Sequence, residues 1–90
     1  MTETWRVYPV IMSYVPANQP TPYLVEIPAF QGETQGRSVA DGMRQARTYM
    51  GLAASELIVR GKEVPASETH LPVVSAPTIV TLVEVEIGQA

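Results

Sequence analysis

The sequence predicts an α+β domain of order β-β-β-α-β, in which one long helix packs on one face of a mixed sheet. Three observations predict it. A single stretch repeats apolar residues with helical spacing, at Val39, Met43, Ala46, Met50, Ala53, Ala54, Leu57 and Ile58. Runs rich in β-branched and aromatic residues lie on both sides of it. Ninety residues are the length of one small domain, 1–90, with room for one modest core.

Arg6 to Val15 reads as the first strand. It is apolar on both faces, with Val7, Ile11 and Val15 alternating against Tyr8, Val10, Met12 and Tyr14, as in the middle of a sheet. Pro9 donates no ladder hydrogen bond and is expected at the strand start or a bulge. Pro16–Pro22 is a connection. Tyr23–Ile27 is the second strand, ended by Pro28, and Gly32–Gly36 a short polar third strand at the sheet edge. Ser38 then caps a helix of roughly 22 residues, with Asp41 as the short-armed partner of a capping box. Gly61, between Arg60 and Lys62, marks its end. Residues 62–77 form a loop with three prolines. Thr78–Ile87 is the last strand: Ile79, Val83, Val85 and Ile87 share one face, and Val80 and Leu82 share the other with Glu84 and Glu86. The helix is expected to return the chain parallel to an earlier strand.

Composition narrows the function. There are no cysteines, so disulfides and thiolate metal sites are excluded. No apolar run is long enough to cross a bilayer and no leader pattern opens the chain, so the expected location is cytoplasmic, with no membrane contact. A net charge of −3 disfavours general nucleic-acid binding and suits a basic protein partner.

The order and spacing of several short pieces carry a resemblance. They are YPVI at Tyr8–Ile11, YLVEIPAF at Tyr23–Phe30, TQGRSVADGMRQA at Thr34–Ala46, VPAS at Val64–Ser67 and VTLVEVEI at Val80–Ile87. Together they resemble the HicB-type antitoxins of type II toxin–antitoxin systems, over nearly the whole chain. The resemblance implies a degenerate ribonuclease-H-like domain that binds a HicA-type toxin, a small mRNA-cleaving ribonuclease, and covers its active surface. Departures exist: Ala29 replaces the usual glycine after Pro28, Asp41-Gly42 stands where Glu-Ala is common, and the first loop is proline-rich rather than acidic. Many relatives continue into a DNA-binding domain. Here three residues follow the last strand, so the resemblance implies a core without that half and puts DNA binding by this chain in doubt.

The residues themselves argue against catalysis. A nuclease of that fold holds two metal ions with carboxylates from the first strand, the helix and the last strand. Val7–Val15 carries no acid, so Asp41, Glu56, Glu84 and Glu86 lack a third corner. No enzyme activity, cofactor or metal is expected. His70 is the one histidine and has no nucleophile to pair with. Arg37, Arg44 and Arg47 read as a solvated helix face.

The sharpest physical signal is a surplus of apolar strand surface. Val10 and Met12 share one face of the first strand, as Val80 and Leu82 do in the last. If the two strands are neighbours, these four form a patch opposite the helix that a soluble monomer rarely shows. The expectation is at least a dimer, or a partner chain, at Val10, Met12, Val80 and Leu82, with Glu84 and Glu86 on the rim. Trp5 is either an anchor in that interface or a lid on the core. The competing expectation is that residues 62–77 fold over the face. An orphan, self-associating HicB-like module is the alternative function.

Overall fold

A computed structural model describes residues 4–87. The elements are β1 (Trp5–Tyr14), β2 (Tyr23–Ile27), a 3-10 turn (Pro28–Phe30), β3 (Gly32–Gly36), α1 (Val39–Val59) and β4 (Ile79–Glu86). The strands form one sheet in the order β3-β2-β1-β4, and α1 lies across one face. The element order is the expected one.

The helix is bounded by its own sequence. The Ser38 hydroxyl accepts from the Asp41 backbone N–H at 3.0 Å, and the Asp41 carboxylate reaches back to the Arg37 N–H at 2.8 Å. The first bond satisfies an orphan donor of the helix; the second falls on the residue before the cap, one position earlier than in the usual box. At the other end Lys62 N–H bonds Leu57 C=O and Gly61 N–H bonds Ile58 C=O, at 2.8 and 3.0 Å. That pair is a Schellman motif, and Gly61 takes the left-handed φ of 70° it requires. The helix has 21 residues.

Three expectations are corrected. The sheet is antiparallel throughout, not mixed: β4 pairs with β1 from Trp5↔Glu86 to Met12↔Ile79. The reason lies between α1 and β4. Instead of returning at once, the chain runs beside the first half of β1, where Glu68 N–H bonds Val7 C=O and the Ser67 hydroxyl accepts from Val7 N–H. It then reaches the far end of the sheet, and β4 comes back down it. The extra traverse inverts the strand direction that a direct helix-to-strand connection would give.

The second correction is the phase of β1. Val10 and Met12, expected opposite the helix, face it instead and are fully buried together with Tyr8, Val25, Ile27, Ala46, Met50, Ala54, Val83 and Val85. An apolar strand with both faces alike carries no phase information. The phase is set by Tyr8, whose hydroxyl bonds the Pro65 carbonyl at 2.5 Å and whose ring meets Phe30 edge-on at 5.0 Å. Val7, Pro9 and Ile11 therefore take the outer face.

The third is Pro9, which sits inside β1, opposite Leu82, rather than at its start. The backbone of Val7 points toward the 64–68 segment, and by alternation so does that of Pro9, while pairing with β2 begins only at Ile11↔Glu26. Pro9 falls in the gap between these two neighbours, where no N–H is called for.

Candidate protein-docking site

The outer face of the sheet collects part of what the sequence singled out. Register places Val80 and Leu82 opposite Ile11 and Pro9, and Glu84 and Glu86 opposite Val7 and Trp5. The result is an apolar stripe along β1 and β4. The stripe is not open: Pro9 is buried, and Val7, Ile11, Val80 and Leu82 are half-buried. Glu84 and Glu86 are exposed. Val10 and Met12 have no accessible surface and belong to no interface of this fold. In the 69–77 segment, Pro72 and Val74 are half-buried while Leu71 and Val73 stand in solvent.

Trp5 is 47% exposed, so it does not close the core as a lid. It shares a hollow with Arg47, Leu52 and Val85 at the end of β4. From the helix, Arg47 Nε donates to the Glu84 carbonyl at 2.9 Å. Since β4 is an edge strand, this bond occupies one of the ladder groups an incoming strand would need.

A second region was not found from the sequence. The C-terminal half of α1 and the Pro28–Phe30 turn diverge around a hollow of about 440 Å³, with Phe30, Ala53, Leu57 and Pro65 as apolar walls and Glu56, Arg60 and Glu63 at the mouth. A separate recess at the turn end of the β2–β3 ladder shares Gln31 and Tyr49 with it and is lined by Glu26 and Glu33, which alternate with the core residues Val25 and Ile27 and so turn away from α1. Gly32 is what lets Tyr49 lie there, because a Cβ at that position would collide with the tyrosine ring. Glu26 and Glu33 face each other directly across the ladder. The signal for this pair was present in the sequence. Two strands closed on a turn centred between Ala29 and Phe30 must set residue 26 against residue 33.

The charges of this region are unevenly matched. Arg60 is paired with Glu56 at 2.7 Å. Among the described residues no ion pair reaches Glu26, Glu33 or Glu63. Two other carboxylates are held below their ordinary range: Asp41 chiefly by the Arg37 backbone N–H and Glu68 chiefly by that of His70. Both stabilise local turns away from the hollow. Among the described residues no three His, Asp or Glu side chains converge as a metal site would need, and no helix is long and apolar enough to cross a membrane.

The fold is similar to that of a chain in a toxin–antitoxin complex from Streptococcus pneumoniae, with a TM-score of 0.76 and 18% identity over 93% of this chain and 74% of that one. At such low identity the likeness is one of fold. No protein-family model matches the sequence, and no curated protein does.

Proposed function

We propose that this chain is a HicB-like antitoxin domain that binds a HicA-type mRNA-cleaving toxin, holds it inactive and does no chemistry itself. The observation that carries the reading is the fold it shares, over nearly its whole length, with a chain of a toxin–antitoxin complex. The short motifs in TQGRSVADGMRQA and VTLVEVEI support it independently. So does the acidic surface, which suits a partner that must itself be basic to hold RNA.

The test is co-expression with a HicA-type toxin. That protein alone should arrest growth, the pair should not, and the two should co-purify. Failure of both rescue and co-purification overturns the reading. So does magnesium- or manganese-dependent cleavage of RNA by the pure chain, lost on Asp41→Asn or Glu84→Gln.

A second reading, self-association without a toxin, is favoured by one observation: β4 is an edge strand whose outer side chains Val80 and Leu82 remain part-exposed. Light scattering separates the two. An orphan module is at least a dimer, and Leu82→Asp returns it to a folded monomer; a wild type that is monomeric at high micromolar concentration removes this reading.

A further inference from the structure

We infer that the hollow between the C-terminal half of α1 and the Pro28–Phe30 turn, with the adjoining recess past Tyr49, is where the partner docks, and that it takes a segment bearing one apolar side chain flanked by lysine or arginine. The inference rests on the toxin-binding reading for the identity of the partner; the site and its chemistry stand on the geometry.

The walls are fixed before anything binds. Phe30 is held edge-on against Tyr8, whose hydroxyl is tied to the Pro65 carbonyl. Arg6 donates to the Val64 and Pro65 carbonyls at 3.1 and 2.9 Å, pinning the same segment from the strand side. The helical wall is closed off by the Schellman motif just beyond Leu57. An apolar side chain entering between Phe30 and Leu57 meets a preorganised surface and orders little on arrival.

The rim sets the flanking residues. Arg60 is neutralised by Glu56, and among the lining residues this leaves Glu63 at the hollow, and Glu26 and Glu33 in the adjoining recess, as the carboxylates without an ion pair. The Glu26–Glu33 pair breaks a local rule. Like charges directly opposite across an antiparallel ladder are destabilising, and no cation of the described chain relieves them. Such an uncompensated conflict is expected where function, not folding, chose the residues. A cation from outside relieves it. The same carboxylates repel phosphate, so the occupant is a protein segment and not RNA.

The experiment measures affinity for the toxin at low and high salt with three variants. Glu33→Lys turns a like-charge pair into an opposite one, so the variant should fold at least as well as wild type while binding about tenfold more weakly at low salt, with less loss at high salt. Leu57→Ala should weaken binding about tenfold at both, as loss of a packed anchor site does. Glu84→Lys, which adds the same charge at the opposite edge of the sheet, should change binding less than threefold. Equal loss from Glu33→Lys and Glu84→Lys means generic charge attraction and overturns the inference; loss from Glu84→Lys alone moves the contact to β4 and also overturns it. If wild type binds no toxin, the antitoxin reading fails separately, and the hollow is tested by NMR titration with the synthetic peptide KRLFRK. Shifts at Phe30, Ala53 and Leu57 that vanish with KRSSRK support it. No shifts, or the same shifts with both peptides, overturn it.

Discussion

The two halves of α1 lie on the same sheet and behave differently. At the first turns the helix is sealed down. A Cβ on Gly36 of β3 would stand 2.5 Å from the Gly42 backbone nitrogen, and one on Gly42 would stand 2.7 Å from the Met12 sulfur and 3.3 Å from Val25 Cγ2. Two glycines thus let backbone rest on backbone, and Ala46 and Met50 continue the contact with no exposed surface. Toward the C-terminus, beyond the fully buried Ala54, the packing loosens. Leu57 and Ile58 are half-buried, Val59 is 86% exposed, and the hollow opens beside Phe30. At the head of the helix two glycines bring backbone onto backbone; Ala54 still seats the helix on the sheet, and the hollow opens beside Ala53 and Leu57, where a surface is left for another molecule.

The largest expected effect is in the sealed half. Met50→Ala removes a fully buried side chain at the middle of the core and should cost about 2–5 kcal/mol. In a domain of this size each kcal/mol shifts Tm by about 4–8 °C, so the loss should be at least about 8 °C. An unchanged melting curve would mean that the core is not organised around this face of α1. Next comes Gly36→Ala, expected to cost about 1–3 kcal/mol because the obstructing atoms are backbone and cannot turn aside. If Gly36→Ala is neutral in urea titration, the close approach at the head of the helix does not exist.

The cap of the same half gives a smaller and pH-dependent effect. Ser38→Ala should cost about 1 kcal/mol. Asp41 sits below its ordinary pKa in the folded protein, chiefly through the Arg37 N–H. A depressed folded value contributes stability above the unfolded pKa of about 3.9, and that contribution is lost as pH falls through the folded value. The Tm gap between wild type and Asp41→Asn should therefore be steady at neutral pH and narrow below about pH 4. A gap that holds constant to pH 2 would show that the carboxylate is not the cap.

The same contrast explains what could be read from the sequence. The helix, its serine cap and its glycine stop were legible because each is a local chemical device whose residues are adjacent. β2, β3 and β4 were legible because their alternation or their bounding prolines and glycines are local too. The phase of β1 was not: with Val7, Ile11 and Val15 on one face and Val10 and Met12 on the other, hydrophobicity is symmetric, and the tie is broken by a bond from Tyr8 to a carbonyl 57 residues away. The direction of β4 failed for the same reason, because it depends on where the 64–68 segment lies beside β1. The alternation of β4 did put Glu84 and Glu86 on one face with Val80 and Leu82, the outer one. Phe30, Leu57 and Tyr49 were missed because a hollow is made by what two elements fail to fill, which neither element records.

The smallest effect separates the two halves most cleanly, since it runs with opposite sign. Gly42 and Gly51 are both interior residues of α1, nine positions apart, and glycine in a helix costs about 0.5–1 kcal/mol relative to alanine. At Gly42 that gain is outweighed, because the new methyl meets Met12 and Val25 in a core with no space to give. At Gly51 a Cβ meets only Val85 Cγ2, at 3.9 Å, an ordinary van der Waals distance. Gly51→Ala should therefore stabilise the domain by about 0.5–1 kcal/mol, raising Tm by about 2–8 °C, while Gly42→Ala lowers it. Differential scanning calorimetry on the two single variants and the double decides the matter. If Gly51→Ala also lowers Tm, the helix is pressed onto β4 as tightly as onto β2 and β3. The looser packing along its C-terminal half would then not hold in solution.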